Sequence, residues 1–511
     1  MSEAFDAIVI GSGLGGLTAG ALAAKEGRKV LVLERNDEFG GAASTFRRNG
    51  LTIEASLHEL DGFDAADHKT ALFNELGLND RITTVPIPEL HEVRSKHLSE
   101  PFVLPSGVEA VKEAASARFP GKRRNIGEFV DLLCDIREAV NELGKQGSAG
   151  NWLSTALSNP FRFWSLARNR NATAAEVMDR HFGDEEAVKL ALVPNMSYFT
   201  EDPARLWFLG FAVAQASYLI GGAHYVKGGS AELASALVAI IEGQGGAART
   251  GRMVTRILTE NGTAAGVVHQ GDGGSEEARA PLIFGNAAPH VLAEMLPSEQ
   301  RGDFQRRYAG RPLSHSHFAL YLGLREPPAN VGLSRYSTFI FPDWMDSARK
   351  LPLNADLFAG DPGGRMPMLG VVNYDAIDSG ITAEGAYPVS VVGLDSLDNW
   401  RDLDQGAYEA RRARWTDRII QELDAHYPGL ADAVCYKEMV TARSMQHYLN
   451  TPGGAVYGFA AVPPDDQQGF GEAKTPVPGL YLASSYVWYG GFSGAMFGGS
   501  TAARAALSEA R

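Results

Sequence analysis

The chain has 511 residues, more than one hydrophobic core usually organises, so two or three domains are expected. Its 45% hydrophobic and 21% charged content fits a folded soluble enzyme, and 61 acidic against 47 basic residues leave a formal charge of −14. That balance excludes nucleic acid as the partner, because phosphate binding needs a concentrated positive surface.

Phe5 to Ile10 is an apolar run, and Gly11-Ser12-Gly13-Leu14-Gly15-Gly16 follows it at once. Lys29 to Leu33 is a second apolar run closed by Glu34. The order is strand, glycine turn, helix, strand and acid, which a dinucleotide site requires. Gly11 permits the tight turn, Gly13 leaves bare backbone for a pyrophosphate, and Gly16 lets the helix pack on the sheet. The phosphates then sit on a helix N-terminus, whose free N–H groups and dipole favour negative charge. Glu34 lies 18 residues beyond Gly16, near the roughly 20 expected for a carboxylate that holds a ribose hydroxyl. The first apolar run is short and already used by this unit, so no signal pattern is read at the N-terminus.

A charged turn from Arg35 leads to the glycine pair Gly40-Gly41, with Ser44 and Thr45 offering hydroxyls to a ligand lying across the first turn. Gly50 to His58 returns toward that site. From about Pro86 to Ile220 helical patterns no longer alternate with strands. Glu128 to Lys145 is expected as an amphipathic helix. Leu206 to Val213 is apolar on all sides and is either plain core or the wall of a greasy cavity, with core the stronger reading. Lys122-Arg123-Arg124 and Phe161-Arg162-Phe163-Trp164, with Arg168 and Arg170, mix bases and aromatics; a solvated surface is the stronger reading, and a peripheral membrane contact stays open beside it.

Ala231 to Glu242 is expected as a helix, and Gly251 to Leu258, the turn Asn261-Gly262 and Ala265 to His269 as a hairpin. Pro281 to Pro289 is one more strand ending in a small-residue turn. The alternation of Phe318, Leu320, Leu322 and Leu324, repeated over Val389 to Leu394, predicts antiparallel strands, and Tyr408 to Tyr427 an amphipathic helix. Pro478 to Ser485 predicts a strand, followed by Gly490-Gly491 and a small-residue helix from Met496 to Leu507. That second glycine turn at a helix start is a second site for an electron-rich group. Cys134 and Cys435 are the two cysteines and show no metal or disulfide spacing, so a reducing cytoplasm fits. No stretch reaches the roughly 20 apolar residues that span a bilayer.

With both glycine turns placed, the chain resembles the flavin amine oxidase superfamily, and within it the branch of phytoene desaturases, carotenoid isomerases and retinol saturases. The residues that carry the resemblance are Gly11 to Ala19, Glu34 with Gly40-Gly41 and Thr45, His58 after Leu57, Tyr225 to Ser230, Asn286-Ala287 and Pro478 to Ala502. It implies an α/β chain with FAD as cofactor. A discontinuous, glutathione-reductase-like domain of Rossmann type (1–85, 221–300 and 430–511) would bind it, and an α+β substrate domain with an antiparallel sheet and helices (86–220 and 301–429) would complete the chain. It places Gly11, Ser12, Gly13, Leu14, Gly15 and Gly16 along the pyrophosphate, Glu34 on the adenosine ribose and Val254 at the adenine. Ser485, Gly494, Ala495 and Met496 fall at the flavin end, and Arg35 and Asn286 join the cofactor contacts. Ala42, Ala43 and Ser484-Ser485 depart from the usual family pattern.

Flavin carries the hydride chemistry itself, so few acid/base residues are needed. His58, Glu59, Lys227 and Tyr489 are the candidates, each against the plainer reading of a satisfied hydrogen bond or a solvated charge. No second GxGxxG follows a strand, so no dedicated NADPH domain is expected and the electron acceptor stays open. Three activities remain: desaturating, saturating or isomerising the C–C bonds of a hydrophobic isoprenoid or polyene; amine-oxidase-type chemistry on another small molecule; and lipid escort without redox activity.

Overall fold

A computed structural model describes residues 4–145, 160–463 and 471–509. The opening unit forms as the sequence predicts: β1 (Ala7–Ile10), α1 (Leu14–Lys25) and β2 (Val30–Leu33). Both strands are buried on both faces, as continuous apolar runs in a parallel sheet must be. The sheet has five parallel strands in the order Ala247–Arg249, β2, β1, Leu282–Gly285, Leu480–Leu482. Strands far apart in the chain thus complete one nucleotide-type layer.

A seven-stranded sheet makes the second layer, in the order Val434–Val440, Ser316–Leu324, Tyr387–Asp395, Leu369–Asn373, Ser337–Ile340, Glu89–Arg94, Phe102–Pro105. Its pairs are antiparallel except Ser337–Ile340 with Glu89–Arg94, which run parallel. Val434–Val440, assigned from sequence to the nucleotide-binding segments, is an edge strand of this second sheet. The helix Gln405–His426 packs its Trp415 against Phe358, in one core cluster with Trp400 and the strands of this sheet.

The expected hairpin is Met253–Glu260 with Thr263–Gly271. Asn261 and Gly262 have φ of 51° and 82°, the pair of positive angles that a two-residue hairpin turn needs. A third strand, Gly274–Arg279, extends it, which the polar run Ser275 to Arg279 had hidden. The amphipathic helix begins five residues before its expected start, as Arg123–Lys145.

The last helix, Gly491–Glu509, crosses α1 at very short range. A Cβ on Gly499 would lie 2.0 Å from the Gly15 carbonyl oxygen, and one on Gly15 would lie 2.5 Å from that of Ala483 and 2.9 Å from that of Ala495. Bare glycine at this crossing brings the starts of two helices to the rim of one groove.

Candidate cofactor groove and substrate cavity

The glycine turn is held by an unusual use of Glu34. Its Oε2 accepts from the Ser12 backbone N–H at 2.8 Å and from the Ser12 hydroxyl at 2.7 Å, and its Oε1 accepts from the Asn36 N–H at 2.8 Å. Glu34 therefore ties the end of β2 to the turn. A carboxylate has about four acceptor sites, so a lone pair remains for a ligand. The Ser12 hydroxyl in turn accepts from the Gly40 N–H at 3.2 Å. A Cβ on Gly41 would lie 3.2 Å from the Gly13 Cα, so the two glycine segments approach backbone to backbone.

α1 has no side-chain cap and no acid in its first turn, and neither has the last helix an acid in its first turn. The uncapped α1 leaves N–H groups available to an anion, and no acid at either start opposes an anion or an electron-rich ring edge. The bare turn, the uncapped α1 and Glu34 fit a dinucleotide.

One continuous groove of about 1460 Å³ runs from this turn into the space between the layers. A drug-sized ligand fills roughly 300–1,000 Å³, so the groove has room for a cofactor and a second molecule. Gly11, Ser12, Gly13, Leu14, Gly15, Glu34, Arg35, Gly40, Gly41, Ser44, Thr45, Val254, Asn286, Ser485, Gly494 and Ala495 all line it. Two expected cofactor residues do not. Gly16 packs under the turn, where a Cβ would meet the Gly11 carbonyl oxygen at 2.5 Å, and Met496 turns into the core.

Thr45 has a second duty. Its hydroxyl donates to Glu54 at 2.9 Å, and Glu54 also accepts from the Ser230 N–H and hydroxyl, both at 2.7 Å, and from the Leu57 N–H at 2.8 Å. Burial pushes the Glu54 carboxyl up, against these bonds. This buried acid, which the sequence reading passed over, joins the turn region to the start of the helix Ser230–Gly243.

Of the catalytic candidates, His58, Glu59 and Tyr489 line the groove and Lys227 does not. Lys227 is 42% exposed and pairs with Asp378 on the surface, so its expected place beside the ring is corrected. Tyrosines in the second sheet and at its strand ends hold the segment that carries His58. Tyr321 donates to the Ala55 carbonyl at 2.8 Å, Tyr374 to that of Leu57 at 3.2 Å, and Tyr336 to that of His58.

The His58 Nδ1 faces the Tyr198 hydroxyl at 3.1 Å, and its Nε2 is buried with no partner among the described residues. Burial and then His317 push its pKa down to about 3, and burial pushes His317 down to about 4. Both rings are neutral near pH 7. His315, just before the strand Ser316–Leu324, and His317 within it sit two apart in the chain with ring centroids 4.8 Å apart. That spacing was a usable sequence signal for the second histidine. The Glu59 side chain is 2% exposed, and its Oε1 lies 3.5 Å from the His91 Nδ1.

The apolar side of the cavity includes Phe199, Leu206, Trp207, Leu209, Phe211 and Phe492. The run Leu206 to Val213, for which plain core was the stronger expectation, supplies much of this wall from the helix Phe208–Gly221.

A family profile for the NAD(P)-binding Rossmann-like domain matches residues 9–76. The chain is 25% identical to all-trans-retinol 13,14-reductase of Danio rerio over 99% of its own length and 86% of the relative's. It is 24% identical to the chloroplastic prolycopene isomerase of Daucus carota, covering 99% and 82%. Wild-type putrescine oxidase bound to putrescine superposes with a TM-score of 0.63 at 15% identity, over 100% of both chains. The superposition shows that the chain has the fold of the flavin amine oxidases, with the groove opening at its Rossmann-like unit. Within that class, the resemblance to the carotenoid isomerase and retinol saturase branch runs the full length of the chain.

Among the described residues no helix is long and apolar enough to cross a membrane.

Proposed function

We propose that the chain is an FAD-dependent enzyme that saturates, desaturates or isomerises carbon–carbon double bonds of a hydrophobic isoprenoid polyene. The observation that carries this reading is the single groove that joins an uncapped glycine turn to a large apolar cavity. The full-length similarity to a retinol reductase and a prolycopene isomerase supports it.

Bound FAD would supply hydride exchange at its ring. Gly11 to Gly15 would hold the pyrophosphate through backbone N–H groups, and Glu34 would offer its remaining lone pair to the adenosine ribose. Arg35 and Val254 lie toward the adenine end in this reading, Gly40, Gly41, Ser44, Thr45 and Asn286 along the middle, and Ser485, Gly494 and Ala495 at the ring end. The aromatic wall excludes water from the reacting carbons. His58 presents a neutral ring and orients rather than donates charge, which leaves Glu59 as the group that holds or moves a proton at a substrate carbon. Tyr489 donates to the Val462 carbonyl at 3.2 Å and packs edge-on against Trp207, which suits it to shaping the cavity.

The nucleotide-binding unit in this reading comprises 1–85, 221–300 and the part of 430–511 that follows the edge strand. So apolar a substrate is best drawn from a membrane surface. Phe161 and Trp164, 83% and 67% exposed on the helix Pro160–Asn169 with Arg168, are the contact we assign to a cytoplasmic protein docked peripherally.

Anaerobic mixing of FAD-loaded, photoreduced protein with all-trans-retinol or with prolycopene, followed by chromatography, tests the reading. Conversion of either polyene is expected. Turnover of amines alone, or no binding of any polyene, would refute it.

A further inference from the structure

The wall of the cavity is not apolar throughout. Where the helices Arg123–Lys145 and Phe208–Gly221 meet the groove, the lining becomes a cluster of charges with one amide. Arg137, 4% exposed, donates through Nε to the Ser217 hydroxyl at 3.0 Å and through Nη2 to the Asp67 carboxylate at 3.2 Å. Lys69, 3% exposed, lies 3.2 Å from Asp61, which also accepts from the Ser493 hydroxyl at 2.9 Å. Asn141, one turn beyond Arg137 on the same helix face, lines the cavity too, as does Tyr218, the neighbour of Ser217. Among the described residues the Asn141 amide, the Tyr218 hydroxyl and the Arg137 Nη1 make no hydrogen bond.

A polyene that fills this end of the cavity takes water from the Arg137 Nη1, the half-buried Asn141 amide and the half-buried Tyr218 hydroxyl, which is costly unless the polyene brings an acceptor. A few polar groups of this kind are what fixes the orientation of a ligand in an otherwise apolar site. The charges of the cluster balance, Arg137 against Asp67 and Lys69 against Asp61. A neutral oxygen can therefore accept from the free donors without cost, whereas a carboxylate would bring a buried charge with no counter-ion.

We infer that Arg137, Asn141 and Tyr218 form a subsite for a neutral oxygen, hydroxyl or carbonyl, at the end of the substrate chain. The subsite rests on the polyene reading above and deepens it: the preferred substrate is an oxygenated isoprenoid rather than a pure hydrocarbon. It sets which way round the polyene enters, because the oxygen end is held beside the Ser217 and Asp67 side chains while the hydrocarbon runs along the aromatic wall.

Equilibrium binding of three probes to the full chain tests this, read as quenching of tryptophan emission, with Trp207 and Trp488 on the cavity wall. The probes are retinol, the hydrocarbon in which hydrogen replaces its hydroxyl, and retinoate. Retinol is expected to bind about tenfold more tightly than the hydrocarbon, the worth of one to two hydrogen bonds, and retinoate no more tightly than retinol. Asn141→Leu is expected to remove most of that preference while hydrocarbon binding stays within about twofold, and Tyr218→Phe to reduce it in the same way. Hydrocarbon binding is also the control that the variants are folded. Equal binding of alcohol and hydrocarbon by the wild-type chain, or a preference untouched by both variants, overturns the subsite. Tightest binding of retinoate overturns its neutral character. Failure of every probe to bind overturns the polyene reading itself.

Discussion

Mild acid should destabilise this protein through the two imidazoles in its cavity. His58 and His317 have folded-state pKa values of about 3 and about 4, both lowered by burial. In the unfolded chain each returns to about 6.5. A proton is then bound by the unfolded state and refused by the folded one, so stability falls as the pH drops from about 6.5 toward the folded-state values. Between about pH 6.5 and about pH 4.5 each histidine costs about 2 kcal/mol, at roughly 1.4 kcal/mol per pKa unit. Asp395 works in the opposite sense: burial raises its carboxyl to about 6, so its folded form gains stability as the pH falls. That gain is also about 2 kcal/mol over the same range, which hides part of the loss in the wild-type curve. The decisive comparison is therefore between variants. Urea unfolding at several pH values should show His317→Gln with a curve flatter than wild type by about 2 kcal/mol between those limits, and His58→Gln likewise. Curves parallel to wild type for both variants would refute the placement of neutral, buried rings in the cavity.

Three further outcomes are expected. Gly13→Ala puts a methyl 2.5 Å from the Asn286 amide nitrogen, which must swing off the Gly11 carbonyl; the lost bond and crowding, together about 2–4 kcal/mol, should weaken FAD binding at least tenfold in a fluorescence titration. Gly499→Leu should lower the melting temperature and weaken FAD binding together, because its side chain would separate α1 from the last helix by pushing on the Gly15 carbonyl. Lys227→Ala removes an exposed ion pair worth about 0–1 kcal/mol, and polyene turnover should remain within about twofold of wild type.

The parts of this account that were legible in the sequence are local in the chain. Gly11 to Glu34 encodes strand, turn, helix and acid within one contiguous stretch, and Asn261-Gly262 fixes a hairpin through two backbone angles. The cavity was not legible in the same way. His58, Tyr198 and His317 meet because a loop, a short helical turn and a strand of the second sheet converge, and no spacing along the chain records that. Lys227 was misplaced because adjacency of a segment to the groove says nothing of where a side chain points; here it turns outward to Asp378. Met496 shows the same effect on a helix, where Gly494 and Ala495 face the groove and the next residue faces the core. Val434–Val440 follows the short helix Leu430–Ala433, and only its pairing with Ser316–Leu324 reveals which sheet it joins.

Titration of the cofactor-free chain with FAD, read by flavin fluorescence, tests whether FAD lies across the opening glycine turn. Saturable uptake of one FAD per chain, lost or strongly weakened by Gly13→Ala, is the expected result. No uptake by the wild-type chain, or equal uptake by the variant, would contradict an FAD laid across the opening glycine turn.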